Sequence, residues 1–101
     1  MMFPKDKRVR LKGKKLEDLN NEIFKRDNYC CIACKAKGKE VCVSPLEKFH
    51  HEPCGAKKSD EINKGVVLCM ECHYERHHGK KCLEIKHRIL NYLRDLYGVS
   101  T

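Results

Sequence analysis

Two pairs of closely spaced cysteines constrain this chain more than any other feature. Cys31 and Cys34 form one C-x-x-C pair, Cys69 and Cys72 form a second, and 34 residues separate the pairs. Each pair can place two thiolates on one side of a tetrahedral ion, so the two pairs together supply four sulfur ligands. A closed shell of four sulfurs leaves no position for water or substrate, and we therefore predict a structural zinc site.

Redox chemistry and an iron–sulfur cluster are the alternatives to zinc, but neither has its usual sequence context. Thioredoxin-like chemistry uses one C-x-x-C in a βαβ pattern, and iron–sulfur sites show tighter groups of cysteines. Four more cysteines remain, namely Cys30, Cys42, Cys54 and Cys82. We expect Cys42 and Cys82 to be inert, whereas Cys30 is an alternative to Cys31 as a ligand and Cys54 is an alternative ligand near the histidines.

The length of 101 residues predicts one domain, and 41% hydrophobic against 36% charged residues excludes disordered and membrane classes. No apolar run approaches the roughly 20 residues of a membrane helix, and charge appears too early, at Lys5, for a signal peptide. We therefore expect a cytoplasmic protein with no membrane partner. Cytosolic thiols are kept reduced, which favours metal over disulfides as the stabiliser of so small a core.

The formal net charge of +8 is concentrated at the start of the chain, where residues 1–15 hold seven Lys or Arg and one Asp. This segment has too little apolar surface to fold alone, so it is predicted to be a basic arm. A basic arm suits a polyanion, because neutralised phosphates release counterions, but it confers no sequence specificity. The alternative is a solvated tail that maintains solubility.

The remaining pattern predicts a small α+β fold. Apolar residues at a 3.6-residue period indicate a helix over Leu16–Phe24. Residues 41–49 and 66–68 are predicted to form short extended segments, and residues 55–64 a polar surface loop. A helix from Cys69 ends near His78, and a last helix over about 81–97 follows. Its apolar face, Ile85, Ile89, Tyr92, Leu93 and Leu96, is predicted to serve either as core or as the surface of a homodimer.

Five of the six histidines fall in two clusters: His50-His51, and the run that contains His73, His77 and His78. His73 and His77 are four residues apart and share a helix face, whereas neighbours on extended chain point to opposite sides. One imidazole of the doublet can therefore bind an ion while the other faces away. Because sulfur already satisfies the zinc, these imidazoles predict a second, open metal site.

This constellation resembles the HNH endonucleases, the zinc-stapled branch of the ββα-metal nuclease fold. The resemblance is carried by Arg26-Asp27, the Cys31-x-x-Cys34 pair, the His50-His51 doublet and the run Leu68-Cys69-x-x-Cys72-His73-x-x-x-His77. It implies a ββα-metal finger with a core over about 26–79, within a nuclease domain over 16–101 that an N-terminal and a C-terminal helix flank. The start of the chain is also similar to short stand-alone HNH proteins of bacteria and their phages.

The resemblance further implies a role for each histidine in the hydrolysis of DNA. His51 would be the general base that takes a proton from water, while His50, His73 and His77 would hold a catalytic magnesium, manganese or nickel ion. The family asparagine helps to hold the loop that bears the base, and its usual spacing falls at Lys64, with Asn63 one residue earlier. Either a one-residue bulge brings Asn63 into that role or the support of the loop is weaker. The competing function is a non-catalytic, zinc-stapled module that binds DNA through its basic arm.

Overall fold

The described chain forms an α+β fold in which four α-helices accompany a two-stranded sheet. The computed structural model describes residues 9–53, 55 and 58–98, and every statement about its elements refers to those residues. In chain order the elements are α1 (Gly13–Arg26), α2 (Ile32–Lys35), β1 (His50–His51), β2 (Gly65–Val66), α3 (Met70–His78) and α4 (Cys82–Tyr97). Within this part of the chain, no helix has the length and apolar character of a membrane span.

Helix α1 buries Leu19, Ile23 and Phe24 on one face, as its apolar spacing predicts. It begins at Gly13, three residues before the predicted start at Leu16. Leu11 and Leu16 pack against the core. The last three residues of the predicted arm, from Gly13 onward, therefore belong to α1. Residues 1–8 of the predicted arm lie outside the described part of the chain.

The Arg26-Asp27 pair at the end of α1 fixes this helix to two other parts of the fold. The Asp27 carboxylate is buried and accepts hydrogen bonds from the Val67 N–H (2.9 Å) and from the Tyr92 hydroxyl. Arg26 donates to the Asp27 carboxylate at 2.7 Å and to the Gly65 carbonyl at 2.6 Å. These bonds hold α1 against the β2 segment and α4, so the pair has a structural role.

Strands β1 and β2 pair in antiparallel fashion, with His50 opposite Val66 and His51 opposite Gly65. Gly65 occupies a position where no side chain fits, because an added Cβ would lie 2.5 Å from the Phe49 ring. The close approach lets Phe49 and β2 pack together under the histidine doublet. The short sheet therefore presents His50 and His51 at a fixed register.

Helix α4 packs against α2 and α3 and buries Ile85, Ile89 and Leu93 in the core. This is one of the two roles predicted for it, and the role of a dimer surface stays a prediction. Leu96 was expected on the same apolar face but is 48% exposed. It lies in the last turn of α4, which extends past the core, so its position on the stripe does not bury it.

Candidate metal centres and active site

The four predicted zinc ligands come together from two matching corners of the chain. Cys31 precedes α2 and Cys34 lies within it, just as Cys69 precedes α3 and Cys72 lies within it. In each pair the backbone N–H of the second cysteine donates to the sulfur of the first at 3.5 Å. All four sulfur atoms lie within 4.8 Å of one another, close enough to bind one metal ion.

The distances between the sulfurs fit a tetrahedral zinc ion. The Cys34 sulfur lies 3.8 Å from that of Cys69 and 3.6 Å from that of Cys72. Two sulfurs bound to zinc at about 2.3 Å in a tetrahedron are about 3.8 Å apart. Burial raises the pKa of Cys34 to about 11, with the Cys31 and Cys69 thiols adding to the rise and the Cys72 contact opposing it. Burial and the neighbouring thiols also raise the pKa of Cys72. A divalent cation would relieve this cost, because it stabilises the thiolate form.

The other cysteines do not join this cluster within the described residues. The Cys30 thiol donates to the Asn28 carbonyl at 3.2 Å, and Cys30 pairs across a single β-bridge with Cys42. The Cys82 thiol donates to the Arg76 carbonyl at 2.8 Å. Cys54, the alternative ligand near the histidines, lies outside the described residues.

A second group of metal-binding side chains consists of His50 on β1 and of His73 and His77 on α3. One ring nitrogen from each lies within 4.8 Å of the others, and the Nε2 atoms of His73 and His77 are 3.1 Å apart. Two nitrogens bound to one ion at about 2.1 Å and at right angles would be about 3.0 Å apart. Three histidines that were predicted from separate motifs therefore lie close enough to share one ion.

At His73 and His77 the electrostatics favour neutral imidazoles. Partial loss of solvent around each ring, followed by the neighbouring histidines, lowers the pKa of both residues below the usual value. A neutral ring keeps the lone pair that a metal ion needs. His50 is buried while His73 and His77 are exposed, so the cluster opens toward solvent on one side. This openness contrasts with the sulfur cluster and leaves room for water or substrate.

Glu52 contacts the His50 ring through its carboxylate, a contact that the sequence analysis does not predict. Its carboxylate lies 3.3 Å from His50 Nε2 and accepts two hydrogen bonds of 2.9 Å from Arg76 on α3. Burial alone would raise the pKa of Glu52, but the bonds from His50 and Arg76 lower it to about 2. An ionised carboxylate that accepts a hydrogen bond from Nε2 leaves the lone pair of His50 on Nδ1, the atom that could then bind a metal ion.

His51, next in the chain, lies in a different environment on the other side of the strand. Its Nε2 atom is 2.7 Å from a carboxylate oxygen of Asp60, and its ring packs on Phe49 with 4.5 Å between ring centroids. The His51 side chain is 22% exposed, so solvent reaches it. The doublet thus divides as the strand alternation predicts, with His50 turned to the histidine cluster and His51 turned away from it.

Asn63, the predicted counterpart of the family asparagine, is exposed in a 3-10 turn at Ile62–Lys64. The neighbouring Lys64 supports the doublet through its backbone, because its carbonyl accepts the Glu52 N–H at 3.0 Å. The side chain that contacts His51 is that of Asp60, which the sequence places in a polar loop. A catalytic role for Asn63 stays a prediction.

The sequence predicts a surface loop over residues 55–64, but the structure buries part of it. Ser59 is 2% exposed, and its hydroxyl accepts the Val9 N–H at 2.8 Å and donates to Glu61 at 2.7 Å. Val9 and Leu11 lie against this part of the loop, where they bond to Ser59 and Asp60. No spacing rule in the sequence connects two segments 50 residues apart, so polarity alone suggested exposure.

Comparisons of this chain with protein-family models, with curated proteins and with solved structures find no significant match. The resemblance to HNH endonucleases therefore depends on the residues of this chain. The geometry contributes two clusters with different chemistry, one of four thiols and one of three imidazoles. His51, which neighbours His50 of the second cluster, contacts the carboxylate of Asp60.

Proposed function

We propose that this protein is a metal-dependent endonuclease that hydrolyses DNA phosphodiester bonds in the manner of the HNH family. The observation that carries the proposal is the division of the histidine doublet. His50 faces His73 and His77, while His51 faces Asp60 and solvent. A nuclease needs both a metal ligand and a separate base, and a binding module needs neither.

The order of elements supports the finer assignment of a ββα-metal fold. Strand β1 carries the doublet, β2 pairs with it, and α3 follows with the other two histidines of the cluster. The four-cysteine cluster lies at the start of the same helix, where a structural zinc would join α3 to Cys31 and Cys34 at α2. This arrangement brings β1 and α3 together, which the proposed site requires.

The second ion would be held by His50, His73 and His77. Such an ion acts as a Lewis acid that polarises the phosphate and stabilises the leaving 3′ oxygen. Imidazole donors suit nickel better than magnesium, which prefers oxygen ligands. Of the three ions named above, we therefore propose that nickel binds most tightly and magnesium least.

His51 is proposed as the general base. A neutral imidazole carries a nitrogen lone pair that can take a proton from water. The partial exposure of the ring gives water access to it, and the contact with Phe49 fixes the plane of the ring. General base catalysis of this kind contributes about 10²- to 10⁴-fold to a rate.

The polyanion contact is assigned to the basic segment at the start of the chain. Its described cationic residues, Arg10, Lys12, Lys14 and Lys15, are all exposed. The Asp60 N–H donates to the Val9 carbonyl, and the Leu11 N–H donates to the Asp60 carboxylate, so Arg10 lies between two residues attached to the partner of His51. A phosphate bound by this segment would therefore lie near the proposed base.

The direct test is cleavage of supercoiled plasmid by zinc-loaded protein from which EDTA has removed weakly bound ions. Addition of nickel, manganese or magnesium should convert the plasmid to nicked or linear form. His51→Ala should slow cleavage by about 10²- to 10⁴-fold but still retard DNA in a gel, since the basic segment is unchanged. His87→Ala is the matched control, because His87 is exposed on α4 and outside the histidine cluster.

Retardation of DNA without cleavage by any ion would contradict the proposal. That result would instead favour the zinc-stapled DNA-binding module. A binding module should also retard DNA equally well with and without the added ion, and His51→Ala should leave it unaffected.

A further inference from the structure

Asp60 is held in place beside the histidine doublet by several hydrogen bonds. One carboxylate oxygen lies 2.7 Å from His51 Nε2, and the other accepts the Leu11 N–H at 2.8 Å. The Asp60 N–H in turn donates to the Val9 carbonyl at 2.8 Å. The preceding Ser59 is buried and accepts the Val9 N–H. Asp60 is therefore fixed by backbone bonds that do not involve the histidine it contacts.

The chemistry of this contact determines which nitrogen of His51 carries a proton. An ionised carboxylate only accepts hydrogen bonds, so Nε2 must be the donor. Burial alone would raise the pKa of Asp60, but the hydrogen bonds from His51 and from the Leu11 N–H lower it below the usual value. With Nε2 protonated, Nδ1 of the neutral ring carries the free lone pair.

We propose that Asp60 is the positioning residue of His51, which it holds as the Nε2–H tautomer so that Nδ1 is the basic atom. This inference rests on the proposed nuclease function. It also gives the N-terminal segment a second role, because Val9 and Leu11 fix Asp60 by their backbone groups. The segment that binds DNA phosphates is thereby attached to the side chain that orients the base.

The proton balance of the proposed step is simple. The oxygen of water forms a bond to phosphorus, and its proton passes to Nδ1 of His51. The bond between phosphorus and the 3′ oxygen breaks, and the 3′ oxygen takes a proton from solvent. The imidazolium keeps its Nε2–H bond to the Asp60 carboxylate, which stabilises the added charge, and it returns the Nδ1 proton to solvent.

Substitution of Asp60 should reduce the turnover step far more than it changes DNA binding. We expect Asp60→Asn to lower kcat by about 10- to 100-fold, since it disturbs the orientation of a base but does not remove it. KM should change far less than kcat, because the substitution keeps every cationic side chain of the N-terminal segment and the bond from the Asp60 N–H to the Val9 carbonyl. Asp95→Asn, an exposed change on α4, is the matched control and should have wild-type kinetics.

A double substitution separates positioning from a general structural effect. If Asp60 acts only through His51, Asp60→Asn should cause no further loss in the His51→Ala background. A further loss of residual activity in that background would overturn the proposal. Retained zinc and an unchanged circular dichroism spectrum show that each variant is folded.

The deciding readout is the tautomer of His51 by ¹⁵N NMR, measured on zinc-loaded protein at a pH where the ring is neutral. We expect the Nε2–H tautomer in the wild-type protein and a mixture in Asp60→Asn and Asp60→Ala. An Nδ1–H tautomer in the wild type, or an unchanged tautomer in both variants, would overturn the proposal. If the tautomers behave as expected but the wild type never cleaves DNA, the nuclease function fails and the orienting contact stands.

Discussion

The cysteine cluster and the histidine cluster share helix α3 but differ in how much of the coordination shell they leave open to solvent. Helix α3 supplies Cys72 to the first and His73 to the second. The first cluster presents four sulfurs around one point, which completes a tetrahedron. The second presents three nitrogens, two of them on exposed rings, so part of any coordination shell faces solvent. The number and exposure of the ligands, more than their spacing in the sequence, therefore distinguish a closed metal cluster from an open one.

The helix serves both clusters because of its periodicity. Cys72 and Arg76 are four residues apart and buried, while His73 and His77 are four residues apart and exposed. Each pair occupies its own face one step around the helix. The buried face is fixed by sulfur and by Glu52, which leaves the exposed face in a set position beside His50.

The largest expected effect comes from breaking the cysteine cluster. Cys72→Ser should leave the protein unfolded, because a structural zinc contributes about 10–16 kcal/mol, as much as the whole stability of a small domain. Circular dichroism and the dispersion of the amide NMR spectrum would measure the loss. Cys42→Ser, at an exposed position outside the cluster, should remain folded. A folded Cys72→Ser protein would show that the cluster is not structural.

The next effect comes from the buried ion pair that joins the histidine cluster to the core. Glu52→Ala removes the acceptor of two Arg76 hydrogen bonds and of the His50 contact, and we expect a loss of about 3–5 kcal/mol. Urea unfolding of the zinc-loaded protein would measure it. Glu84→Ala breaks the more exposed pair with Arg88 on α4 and should cost less than about 1 kcal/mol. Equal losses in the two variants would contradict a special role for Glu52.

The smallest effect on stability should come from the open cluster itself. His77→Ala changes an exposed residue, so the free energy of unfolding should stay within about 0.5 kcal/mol of the wild-type value. Calorimetric titration with nickel should nevertheless show at least about a tenfold loss of affinity, equal to about 1.4 kcal/mol. His78→Ala, one residue further along α3, is the matched control. Unchanged nickel affinity in His77→Ala would exclude that residue as a ligand.

Local patterns were sufficient to predict much of this arrangement. A C-x-x-C pair places its two sulfurs together whatever surrounds it, and the spacing of His73 and His77 sets their common face. Strand alternation likewise separates His50 from His51. These features depend on a few neighbouring residues, so the sequence contains the whole signal.

The carboxylates that orient the doublet could not be predicted in the same way. Asp60 is nine residues from His51 and belongs to a loop whose polar composition indicated exposure. Its position depends on hydrogen bonds from Val9 and Leu11, contacts between distant segments that no periodicity encodes. Glu52 carried a weak signal, since Arg76 lies four residues after Cys72 on the inward face of α3 and a buried arginine needs an acidic partner.

Anomalous diffraction from crystals of zinc-loaded protein soaked in nickel, recorded at both metal edges, would locate the two metal sites directly. We predict a zinc peak among the sulfurs of Cys31, Cys34, Cys69 and Cys72 and a separate nickel peak among the nitrogens of His50, His73 and His77. Nickel in the sulfur cluster, or no peak at the three histidines, would contradict a closed structural site beside an open exchangeable one.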